Sequence, residues 1–160
     1  MSDPLATYLH DHHAGSNFGI ELLKNLQDQH AGEPLAEFAA AELTLLLEDR
    51  QILEGIIDRV GTEASAVKEA AAWVGEKLSR FKLRHASSAD FGTFEALETL
   101  TLGINGRVAL WRALSLIAPT DTRLRGEDFH ALAAAAQAQH DRVEQRRLQI
   151  ASSALRPTTE

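Results

Sequence analysis

The 160-residue sequence contains no cysteine, so disulfides, thiolate zinc sites, cysteine-ligated iron–sulfur clusters and a cysteine nucleophile are excluded. Any metal must then be held by His, Asp and Glu. Proline is scarce, with four residues in all, and aromatics make up 6%. The apolar fraction of 44% is interrupted too often by the 24% of charged residues to form a membrane span, yet is too large for a disordered chain. These proportions predict a single soluble domain covering residues 1–160. The opening MSDPLATYLHDHHAG carries His and Asp where a secretory signal needs a basic start and an apolar run, so the expected location is cytoplasmic. Acidic residues outnumber basic ones by 23 to 16, and the net charge of −7 argues against nucleic acid as a partner.

The few prolines and glycines punctuate the chain. Pro4, Pro34, Pro119 and Pro157 lie near segment ends, and Gly32, Gly61, Gly92 and Gly126 mark junctions. Between them run stretches of about 5–31, 34–60, 65–85, 93–118 and 127–155, each with helical spacing. In the second, Leu35, Phe38, Leu45, Leu46, Ile52, Leu53, Ile56 and Val60 recur three and four residues apart; in the fourth, Phe94, Leu97, Thr101, Ile104, Val108 and Trp111 do so. Strand alternation is absent, and there is no internal repeat or low-complexity linker. Helices this long span about 40 Å at ~1.5 Å per residue, and their matching lengths predict an all-α, up-and-down bundle of four long helices plus one shorter one.

Tyr8-Leu9-His10-Asp11-His12 followed by Ala14-Gly15, with Leu97-Glu98, Gly103-Ile104, Gly106-Arg107 and Leu110-Trp111 later on, resembles an uncharacterised bacterial family of small all-helical proteins. Ala72-Trp73, Glu76-Lys77, Ser79-Arg80 and Lys82-Leu83 extend the likeness over most of the chain. That resemblance implies no particular activity. The general architecture is also similar to the ferritin-like bundles, whose di-iron site would imply two Glu-x-x-His motifs. Only Glu127-x-x-His130 is present, in the first turn of its helix, and His140-x-x-x-Glu144 is too short a pattern to define a site.

Single polar residues on apolar stripes say more. His12 falls on the inward stripe of the first helix, where burial and a hydrogen bond to a protein group are expected. Asp49, His140 and Glu98 lie on or beside stripes of three other helices, and with His12 they form the runner-up reading, one atypical His and carboxylate site for Fe, Mn or Zn. The leading expectation is that no metal or cofactor is needed. Counting residues outward from the loop near position 122 brings Glu98 level with Glu144 and Arg147, which predicts a Glu98 to Arg147 ion pair in preference to acid–base work by two carboxylates. Gly15, Gly19, Gly55, Gly75, Gly103 and Gly106 fall inside helices at a cost of about 1 kcal/mol each. A close helix crossing at Gly15 or Gly19 is the simplest reason, and a crevice for a small molecule is the alternative. Lys77, Arg80 and Arg84 share one face and could receive an acidic partner.

With no strand to carry a phosphate loop or nucleophile elbow, hydrolase and nucleotide-binding readings are poor, and the chain is read as non-enzymatic. The function expected first is assembly or partner contact, including a homodimer. The alternatives are a ferritin-like metal-binding oxidase or storage protein and a small-ligand carrier.

Overall fold

The computed structural model describes residues 2–61, 72, 76 and 89–157. Apart from Ala72 and Glu76, the predicted third stretch, with Gly75, Lys77, Arg80 and Arg84, lies outside the described residues. Helix α1 runs Pro4–Gln29, α2 Pro34–Val60, α3 Ala89–Ile117 and α4 Phe129–Gln149, with a 3₁₀ turn at Thr122–Leu124 and a last short helix, α5, at Ala151–Leu155. Among the described residues every regular element is helical.

The starts follow local chemistry. Asp3 caps α1 by accepting from the Leu5 N–H at 3.0 Å, Pro4 occupies the first turn, and Asp128 caps α4 by accepting from the Ala131 N–H at 3.0 Å. The ends of α1 and α2 are turned by Gly32 and Gly61, whose φ angles of 84° and 99° suit glycine. Arg123 then joins the 3₁₀ turn to the start of α1, donating to Asp3 at 2.6 Å and to Asp121 at 2.7 Å.

Two expected boundaries move. Gly92 is not a junction: α3 begins at Ala89 and Gly92 is buried inside it, where the following Thr93 is held by His30 of α1 at 2.9 Å. Tertiary packing overrides the breaker there. The fifth stretch is not one helix, because at Ile150 the backbone N–H turns back three residues to the Arg147 carbonyl at 3.3 Å. The bend lets Ile150 pack against the core before α5 continues.

The four long helices form a bundle in which α1 pairs with α2, α3 with α4, and α1 with α3; α1 and α4 run one way and α2 and α3 the other, because the end of α1 meets the starts of α2 and α3. The core is divided. At one end Leu9, Leu53, Ile56, Val108, Trp111, Leu114 and Phe129 form one cluster, and at the other Ile20, Leu23, Leu26, Leu46, Leu97, Leu100, Ile104 and Val143 form a second. Each helix contributes one half to each cluster.

At mid-height a polar layer separates them. Arg107 of α3, 5% exposed, donates from Nη1 to Asp49 Oδ2 of α2, and Trp111 Nε1 donates to the other Asp49 oxygen at 3.0 Å. Two turns earlier on α2, at the level of the second cluster, Glu42, 3% exposed, accepts from Arg142 of α4 at 2.8 and 3.2 Å, while Gln139 of α4 donates to the Glu42 carbonyl at 3.0 Å. Burial raises the Asp49 pKa, with Arg107 and Trp111 pulling it back down; burial lowers the Arg107 pKa and Asp49 opposes that. Removing one member leaves an uncompensated buried charge, so Asp49→Ala should lower unfolding stability by about 3 kcal/mol or more. Joining it to Arg107→Met should recover much of that loss in urea unfolding, whereas additive losses would mean the two charges are not coupled.

Candidate functional site: a glycine-lined cleft between α1 and α3

Above the polar layer α1 and α3 do not close against one another. They leave a cleft of about 240 Å³, with Leu46 of α2 and Gln139 of α4 at its base. Its walls are apolar at Phe18, Leu22, Leu100 and Ile104, and polar at Asp11, His12, Ser16, Thr99 and Arg107. Gly15 and Gly19 of α1 face Gly103 and Gly106 of α3 across it.

These glycines do not mark a backbone crossing, which corrects the expectation for Gly15 and Gly19. Among the described residues, a Cβ built at Gly15 or Gly103 has no heavy atom within 4 Å beyond its own helix backbone and chain neighbours, and at Gly106 it meets only His12 Cε1 at 4.0 Å. Gly19 alone is tight, against the Leu46 side chain at 3.1 Å. The missing side chains therefore leave open volume where close helix contact was expected.

His12 also departs from expectation. It is half-buried, and its ring has no hydrogen-bond partner among the described residues; it lies edge-on to Tyr8 with ring centroids 4.6 Å apart. The more deeply buried histidine is His10, 6% exposed, whose Nε2 is unpartnered among the described residues. Sequence position places both near the stripe, but the helix rotation that decides between them is set by how α1 seats on α2 and α3. Burial, and secondarily the Arg107 charge, lowers the His12 pKa to about 4, with Asp11 acting weakly in the other direction. The imidazole is therefore neutral at pH 7.

Arg107 supplies the strongest recognition chemistry in the cleft. Its bond to Asp49 uses Nη1, and the remaining guanidinium N–H groups have no hydrogen-bond partner among the described residues. Gln139, 6% exposed, commits its amide N–H to the Glu42 carbonyl.

The four residues of the metal reading are not brought together. His12 faces the cleft, Asp49 is engaged by Arg107 and Trp111, and His140 bonds to its neighbour Asp141 at 3.0 Å. Glu98 stands apart, with a side chain 51% exposed. Among the described residues no group of three or more His, Asp or Glu is placed to hold a metal ion. Arg147 does reach Glu98, at 3.9 Å, but its close bonds of 2.6 and 2.7 Å go to Glu144 on its own helix. The height count was sound. With the Glu98 side chain half-exposed, the pair contributes about 0–1 kcal/mol. The other half of the Glu-x-x-His motif, Glu127, accepts from Arg59 at 3.2 Å.

Fold and site together define an all-α bundle with a lateral cleft. No family model, curated protein or solved structure matches the chain. Among the described residues no helix is long and apolar enough to cross a membrane.

The lowered His12 pKa sets a pH dependence. Between about 4 and the model-peptide value of 6.5 the unfolded chain binds the proton more readily, so this contribution to stability is full above that window and is lost as pH falls through it. In thermal melts from pH 7 to pH 4.5, His12→Gln should show a shallower decline than wild type. Superimposable pH profiles would place His12 in an ordinary solvated environment.

Proposed function

We propose that the chain is a small-molecule-binding helical bundle, a non-enzymatic carrier or sensor whose α1 and α3 hold a compact, mainly apolar ligand between them. The observation that carries the reading is the open space beside Gly15, Gly103 and Gly106. Glycine inside a helix costs about 0.5–1 kcal/mol relative to Ala, and among the described residues no atom stands within 4 Å of a Cβ built at Gly15 or Gly103. The cleft is somewhat smaller than the ~300 Å³ at which drug-sized pockets begin, which suits a small ligand. Asp11, His12 and Arg107 stand at one end of it, polar groups that orient an otherwise apolar molecule.

In this reading the protein is a cytoplasmic member of the bacterial family its motifs resemble, ferritin-like in general form, and it needs no metal. A second reading, assembly into a homodimer or with another partner, is supported by Leu102 and Leu116 of α3, which are 69% and 82% exposed. Sedimentation of the purified chain distinguishes a dimer from a monomer.

The binding reading is tested by titrating 1-octanol while following methyl NMR signals. Saturable shifts at Leu22, Leu100 and Ile104 are expected in wild type and should be lost in Gly103→Leu, which fills the cleft without a steric neighbour to displace. Shifts scattered over the surface, or equal in both proteins, would refute it.

A further inference from the structure

One end of the cleft gathers Arg107, His12 and Asp11, and the chemistry of that end selects a ligand class. We infer that it takes a small monocarboxylic acid, with the carboxylate on Arg107 and the apolar body against Leu22, Leu100 and Ile104. This rests on the binding reading above and adds the headgroup to it.

Arg107 is 95% buried by its 5% exposure, lines the cleft, and has guanidinium N–H groups that no described residue accepts. A guanidinium presents such donors as a planar fork that matches a carboxylate. Asp49 holds the arginine from the α2 side through Nη1 and fixes its orientation. The neutral His12 ring at the same end carries one N–H, and with no protein partner among the described residues it is free to donate to a second carboxylate oxygen.

Charge favours one negative charge over two. Arg107 is the one cation among the described residues that line the cleft, Asp49 already offsets part of its charge, and Asp11 stands exposed beside it. A phosphate dianion would lack a second cation there, whereas a monocarboxylate would not need one. The opposite wall is hydrocarbon, so an acid with a short alkyl or aryl body is retained while a small, fully polar acid is not.

The test compares octanoate, 1-octanol and inorganic phosphate by calorimetric titration at pH 7 against the full chain. Octanoate is expected to bind at least tenfold more tightly than 1-octanol, and phosphate not to bind. The advantage should disappear in the paired variant Asp49→Asn with Arg107→Gln, which removes both charges while keeping polar groups in the layer. If that pair does not fold, Gly106→Leu serves instead: its side chain would enter beside His12 and should weaken octanoate more than octanol. Equal affinity for octanoate and octanol would overturn the carboxylate assignment while leaving the binding reading intact. Binding of neither, with no shift of the cleft methyls, would overturn both. Phosphate binding tighter than octanoate would also overturn the assignment.

Discussion

The ion pair between Asp49 and Arg107 constrains everything around it. Two opposite charges buried at mid-height need one another, since each alone would carry a desolvation cost of several kcal/mol. Their meeting fixes the register of α2 against α3, and Trp111 locks the second Asp49 oxygen from the next turn of α3. Once that level is set, the apolar residues above and below sort into two separate clusters. A continuous apolar core would be free to slide by a turn; this polar layer opposes such a slip, because any other register would leave both charges unpaired.

The same layer gives the cleft its chemistry. Arg107 spends one nitrogen on Asp49 and presents the rest of its fork towards the gap between α1 and α3. Gln139 reaches this gap from α4 and, through Glu42, ties the fourth helix to the second. The glycines above supply volume, the leucines and Ile104 supply an apolar wall, and the burial that lowers the His12 pKa also keeps its ring uncharged beside the guanidinium. Polar registration of the bundle and recognition in the cleft thus rest on the same arginine.

The all-α architecture was legible because the spacing of Leu46, Leu53 and Ile56, or of Ile104, Val108 and Trp111, depends only on helix geometry. Gly32, Gly61 and Gly126 announced their turns through the positive φ that glycine tolerates. Gly92 and Ile150 misled because tertiary packing, and not local propensity, decides whether a helix runs through them. The central pair left a trace that was not joined up: Asp49 interrupts the stripe from Leu46 to Leu53, and Arg107 interrupts the one from Ile104 to Trp111. Opposite charges breaking two stripes are each other's natural partners. Asp49 was instead grouped with His12, Glu98 and His140, which required knowing the rotation of four helices at once. The glycines stand out in the sequence, but whether an absent side chain admits a backbone or leaves a void depends on interhelical distance, which no spacing pattern records.

The central claim is that polar registration leaves a stable apolar space beside Gly15 and Gly103, and xenon tests it most directly because it occupies such space without a headgroup. Methyl NMR under increasing xenon pressure should show saturable shifts at Leu22, Leu100 and Ile104, with the methyls of Leu53 and Ile56 in the opposite cluster unaffected. Linear, unsaturable shifts spread evenly over both clusters would contradict the account, since they would mean that α1 and α3 close against each other in solution.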